Sequence, residues 1–233
     1  MKESDVADLN IVAIGGGGFT HATYPSLDTF CLRQTGKDDP KVGFIATASQ
    51  DDVVKIDRFH ARFNDLVTHH EHLPMDWTAE RVAEELARLD LVYVGGGNTQ
   101  AMVADWRKTG WDQALRNAAF DGLTLAGVSA GAVCWFDSFL FSSGNGPMRP
   151  LRGLGLLKGG ACPHYATEFE RKGALHAAVA AKEMPRSIAI DDGVAVAFGP
   201  DGPTKIHAAE PTGGAFEVRR GPDGTAHEAP LTL

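Results

Sequence analysis

Residues 123–136 read Leu123-Thr124-Leu125-Ala126-Gly127-Val128-Ser129-Ala130-Gly131-Ala132-Val133-Cys134-Trp135-Phe136. The first part is a short apolar run of buried-strand length, and the small and apolar residues after Ser129 can start a helix. Between them, Gly127-Val128-Ser129-Ala130-Gly131 fits G-x-S-x-G. Glycine tolerates the sharp strand-to-helix turn that lifts a serine hydroxyl clear of a sheet. Backbone N–H groups just after such a serine lie at a helix N-terminus, where partial positive charge favours an oxyanion. The five residues alone are a weak signal, since they can equally close a plain structural turn. A strand before them and helix formers behind them favour a nucleophile elbow.

Outward from this stretch, apolar runs alternate with amphipathic ones. Asn10-Ile11-Val12-Ala13-Ile14 ends in Gly15-Gly16-Gly17-Gly18, and Val42-Gly43-Phe44-Ile45-Ala46 ends in Thr47-Ala48-Ser49. Asp90-Leu91-Val92-Tyr93-Val94 ends in Gly95-Gly96-Gly97-Asn98-Thr99-Gln100. Helical spacing fills the intervals, for example Val54, Ile56, Phe59, Phe63 and Leu66 within 51–67, and Val82, Leu86 and Leu89 behind a Thr78 N-cap. Strands alternating with helices predict an α/β fold with a doubly wound, mostly parallel sheet. In such sheets the functional loops gather at the carboxyl ends of the strands, which places the first glycine run, residues 95–100 and Ser129 at one rim. The glycine run does not complete G-x-G-x-x-G, so close backbone approach to the site is a better reading than nucleotide binding. His69-His70-Glu71-His72 reads as a polar connection or short edge strand: adjacent residues of an extended chain point to opposite faces and cannot share one ion. No metal and no cofactor is called for.

The chain has 233 residues, 43% of them hydrophobic, enough for one α/β domain over 1–233, with short strands from about residue 187 expected as an edge extension. A formal charge of −8 argues against a nucleic-acid partner, which would need clustered Lys and Arg. Three widely spaced cysteines, Cys31, Cys134 and Cys162, suggest a reducing compartment. Met1-Lys2-Glu3-Ser4-Asp5 is polar, with no apolar signal segment behind it, and no run approaches transmembrane length. The expectation is a cytoplasmic protein that engages no membrane. A homo-oligomer is left open.

A serine needs a base, because its hydroxyl is hardly ionised at neutral pH. His164 is the best candidate, after the glycine-rich approach Gly159-Gly160-Ala161-Cys162-Pro163; a surface-loop histidine is the plain alternative. A third group should orient the ring. Glu168 comes within reach if the chain turns into a helix there. Asp137 is the rival, but a regular helix from Ser129 would carry it roughly 12 Å along the axis. Arg171, with a planar fork suited to a carboxylate, and the loop residues Asn98 and Thr99 are the candidate substrate contacts; an exposed helix arginine is the plain alternative for Arg171.

Together Phe44-Ile45-Ala46-Thr47-Ala48-Ser49, Val94-Gly95-Gly96-Gly97-Asn98-Thr99, Gly127-Val128-Ser129-Ala130-Gly131-Ala132 and Cys162-Pro163-His164-Tyr165 resemble the serine peptidases that include aspartyl dipeptidase (peptidase E) and cyanophycinase. The resemblance implies a flavodoxin-like fold related to class I glutamine amidotransferases, with serine where those enzymes carry cysteine. It implies Ser129 as nucleophile, His164 as base, and an oxyanion hole from the backbone of Gly96, Gly97 and Ala130. It also implies a short peptide substrate. One departure stands out: those relatives place the triad acid after the elbow helix, whereas 138–163 contains no acidic residue. The expected activity is a serine-type dipeptidase or exopeptidase. An amidase, acyl transferase or cyanophycinase-like hydrolase on the same fold, or a non-catalytic binding protein, are the alternatives.

Overall fold

The computed structural model describes residues 9–144 and 146–233. The N-terminal segment read above as polar and signal-free lies outside the described residues. In chain order the elements are β1 (Ile11–Ile14), α1 (Ser26–Gln34), β2 (Val42–Ile45), α2 (Val53–Phe63), β3 (His70–His72), α3 (Ala79–Leu86), β4 (Leu91–Val94), α4 (Thr99–Thr109), α5 (Trp111–Phe120), β5 (Thr124–Val128) and α6 (Ala130–Val133). They continue with β6 (Phe136–Phe141), β7 (Arg149–Arg152), β8 (Leu157–Cys162), α7 (Glu170–Ala180), β9 (Ser187–Ile190), β10 (Val194–Gly199), β11 (Gly202–Ala208), β12 (Ala215–Arg220) and β13 (Ala226–Pro230).

The strands form two sheets. The first has the order β11-β10-β1-β5-β4-β2-β3, and its run from β1 to β3 is parallel throughout. Both faces of β1, β5, β4 and β2 are covered, so these four strands are buried at every position and read as near-continuous apolar runs rather than alternating. Ile11 and Ala13 of β1 join the cluster of Trp106, Trp111 and Trp135, while Val12 and Ile14 join Phe19, Phe44, Phe59 and Phe63 on the opposite face. Local signals set the helix starts: Asp52 accepts from the Val54 N–H, Thr78 from Arg81 and Asn98 from Ala101.

The second sheet, β13-β12-β9-β8-β6-β7, departs from the single sheet expected. The residues from 187 onward are not one edge extension. β10 and β11 extend the first sheet, whereas β9 lies inside the second, parallel to β8 and antiparallel to β12. Ile188 and Ile190 of β9 pack into the large cluster shared with the first sheet, and Ala189 packs on the other face with Leu175 and Val179 of α7. Short strands with small residues carry no signal of which sheet they will join; burial on both faces decides that. β3 is the edge strand of the first sheet, as read from its polar histidine sequence. Among the described residues no helix is long and apolar enough to cross a membrane.

Candidate active site

The chain leaves β5 at Val128 and enters α6 at Ala130, so Ser129 alone makes the turn, at φ 53 and ψ −110. A non-glycine residue there is strained, and such strain persists only where the surroundings over-determine it. Here they do: the Ser129 N–H donates to the Ile14 carbonyl at 2.9 Å, and α6 packs directly on the first sheet. A Cβ on Gly131 would stand 2.2 Å from the Val94 carbonyl oxygen, so only glycine lets α6 come this close to β4.

His164 follows β8 in the second sheet and also has positive φ, 51°. Its N–H donates to the carbonyl of Gly15 at 3.3 Å, which ties it to the glycine run after β1. The ring spans two partners: Nε2 lies 2.9 Å from Ser129 Oγ and Nδ1 lies 2.6 Å from Asp192 Oδ1. Nδ1 faces a carboxylate and therefore carries the proton, so Nε2 accepts from the serine hydroxyl. The second oxygen of Asp192 accepts from Thr167 Oγ1 at 2.7 Å. Burial alone would raise the Asp192 carboxyl, but its hydrogen bonds from His164 and Thr167 outweigh that and hold it below the ordinary carboxylate range.

The acid position therefore corrects the expectation. Glu168 does lie in a turn, its N–H donating to the His164 carbonyl at 3.0 Å, but its carboxylate pairs with Arg171 Nε at 2.7 Å and leaves the ring alone. An arginine three residues along a helix start is a closer partner than the histidine behind it. Asp137 is not on a helix at all. The elbow helix ends at Val133, Asp137 sits on β6, and its Oδ2 accepts from the Gly159 N–H at 3.0 Å. The missed residue, Asp192, follows β9, in the pair Asp191-Asp192 before Gly193. An acidic pair at the carboxyl end of an apolar strand was the available signal. The two acids divide the work: Asp191 accepts from the Gly214 N–H at 3.0 Å and anchors the following loop, while Asp192 takes the ring.

The first glycine run makes this convergence possible. A Cβ on Gly16 would stand 1.9 Å from Asp192 Oδ1 and 2.7 Å from His164 Nδ1. Gly193 N–H donates to the Gly16 carbonyl at 2.8 Å, tying the acid loop to β1.

Ser129 shares a small cleft with Gly97, Thr99, Leu140, Pro163 and Arg171. Gly96 lies against the serine, its hypothetical Cβ 3.3 Å from Ser129 Cβ. Among the described residues the Gly97 and Ala130 N–H groups have no backbone or side-chain acceptor. Thr99 and Arg171 are buried, and Arg171 Nη1 also donates to the Leu140 carbonyl at 3.5 Å. The Asn98 Oδ1 caps α4, leaving its amide N–H groups uncommitted at the rim.

Residues 11–206 match the sequence profile of peptidase family S51. An uncharacterized peptidase of Bacillus subtilis (strain 168), YgaJ, is 38% identical over 190 residues, covering 81% of this chain and 82% of that protein. Among solved structures, a peptidase from an acI-B1 Actinobacterium superposes with a TM-score of 0.68 at 16% identity, covering 97% of this chain and 99% of the other. A putative peptidase E protein from Listeria monocytogenes EGD-e gives 0.65 at 19% identity, over 86% of this chain and 98% of the other. At these identities the two structures speak for the fold, a mixed α/β arrangement of the peptidase E type. The family match and the Bacillus relative carry further: this chain is a peptidase and belongs to peptidase family S51.

Proposed function

We propose that this peptidase is of the serine type and cleaves short peptides through an acyl-enzyme on Ser129. The observation that carries the reading is the unbroken relay from Ser129 Oγ through the His164 ring to Asp192, at 2.9 Å and 2.6 Å. His164 takes the hydroxyl proton as Ser129 attacks the peptide carbonyl, then returns it to the leaving amine. Water, deprotonated by the same ring, releases the acyl group. Asp192 keeps the proton on Nδ1 and stabilises the imidazolium as it forms. The Gly97 and Ala130 N–H groups are the donors for the tetrahedral oxyanion, a contribution of roughly 10²–10³ in rate per donor.

Arg171 borders the cleft and supports recognition of a substrate carboxylate, with Thr99 lining the same cleft. Its charge is already shared with Glu168, so Glu168 sets how strongly an anionic group is held. A peptide-library digest read by mass spectrometry, with Ser129→Ala as the control, tests the activity. Cleavage that disappears in Ser129→Ala, together with fluorophosphonate labelling of Ser129, is the expected result. Turnover in Ser129→Ala within about tenfold of wild type would remove the serine from the mechanism.

A further inference from the structure

The loop that follows β4 is pinned at both ends by backbone hydrogen bonds. Gly95 N–H donates to the Ile45 carbonyl at 2.9 Å, and Asn98 N–H donates to the Ala48 carbonyl at 2.7 Å. Between these anchors the chain is Gly96-Gly97, with Gly97 at φ +153 and no room for a Cβ, which would stand 2.1 Å from the Ala48 oxygen. A peptide flanked by two glycines has little intrinsic preference for which way its plane faces. Yet that peptide contains the Gly97 N–H, and a trans peptide points its N–H opposite to its C=O.

The C=O of the same peptide is held by a charge. Lys55, on the first turn of α2, donates from Nζ to the Gly96 carbonyl at 2.8 Å. The side chain crosses from a helix of the opposite layer to reach a backbone oxygen. Its ammonium is partly desolvated there, and burial lowers its pKa. A lysine that only decorated a surface would stay fully hydrated.

We infer that Lys55 is a positioning residue for the oxyanion hole, holding the Gly96–Gly97 peptide with its N–H turned to the cleft and polarising it as a donor. This rests on the serine reading of the preceding section. A cation on the carbonyl draws electron density through the amide and strengthens the N–H on the far side, as hydrogen bonds in a chain reinforce one another. The benefit appears only when negative charge develops on the substrate oxygen, so it acts on the transition state and not on ground-state binding. Lys55 needs no contact with the substrate to do this.

The test is stopped-flow acylation by p-nitrophenyl acetate in the wild type, Lys55→Met, Lys55→Gln, Lys55→Arg and Ser129→Ala, alongside binding of phenylboronic acid, which forms a tetrahedral adduct on an active-site serine. Lys55→Met should slow acylation by about 10- to 100-fold with the ester's dissociation constant within about twofold of wild type. Boronate affinity should fall in parallel. Lys55→Gln, which keeps a donor without the charge, should fall between, and Lys55→Arg should recover to within about fivefold of wild type. Thermal unfolding identifies any variant that fails to fold, and the Gln and Arg variants then carry the comparison. Unchanged acylation and boronate binding in the folded Met or Gln variant would overturn the inference, as would a loss confined to the dissociation constant. A wild-type enzyme without a Ser129-dependent burst would remove the serine reading itself, and this inference with it; a normal burst that is indifferent to Lys55 would remove this inference alone.

Discussion

Asp192 Oδ1 lies 2.6 Å from His164 Nδ1, although the two residues are 28 apart in the chain and reach the site from different strands. His164 follows β8 and Asp192 follows its parallel neighbour β9, so the second sheet aligns acid and base side by side at one rim. Ser129 comes from the first sheet, and the glycine run after β1 is where the two sheets' loops meet.

Asp192→Asn is expected to lower kcat by roughly 10²–10⁴ with little change in KM, because an amide cannot hold the Nδ1 proton or balance an imidazolium. Glu168→Gln should leave kcat within about tenfold of wild type and act mainly on KM, through the Arg171 charge it shares. Steady-state kinetics on both variants decide the matter. A large kcat loss in Glu168→Gln with Asp192→Asn near normal would return the acid role to Glu168.

The strain at Ser129 has a measurable sign. In most positions glycine is less stable than alanine by about 0.5–1 kcal/mol. At φ 53 and ψ −110 the order should invert, with Ser129→Gly more stable than Ser129→Ala by about 1 kcal/mol, both variants being inactive. Denaturant unfolding of the pair measures this difference. If Ser129→Ala were the more stable, the elbow would not be strained.

Acid should weaken the site through Asp192. Its folded pKa is depressed, so the carboxylate contributes stability that is present above the unfolded value of about 3.9 and is lost as pH falls through the lower folded value. Thermal unfolding of wild type and Asp192→Asn across pH should therefore show a gap in Tm that is widest near neutrality and closes below about pH 4. A gap that persists or widens in acid would contradict the depressed pKa.

The cysteines should be silent. Cys31, Cys134 and Cys162 are all buried, and burial pushes each thiol up, Cys162 to about 12. Only the thiolate reacts with alkylating or disulfide reagents. The native enzyme should keep full activity in iodoacetamide and titrate with a disulfide reagent only after unfolding. Rapid native modification of Cys134, which ends the elbow helix, would show that this helix opens.

The elbow, the apolar strand runs and the glycine-ended loops were legible in the sequence because each rests on local chemistry. Period, burial on both faces and glycine at a close approach leave their mark within a few residues, and Ile11–Ile14, Leu91–Val94 and Thr124–Val128 form within a residue or so of where the pattern placed them. Ser129 and His164 were legible for the same reason. Tertiary structure alone decided which acid completes the pair. Glu168 is near His164 in sequence, but a side chain bonds whichever partner is closest in space, and Arg171 is that partner. Asp192 becomes a neighbour only because β9 joins a second sheet beside β8, a choice set by apolar burial on both faces of a short strand. The same holds for Lys55 on the Gly96 carbonyl: residues 41 apart meet because the fold brings the start of α2 within side-chain reach of the loop after β4, and no local pattern encodes that meeting.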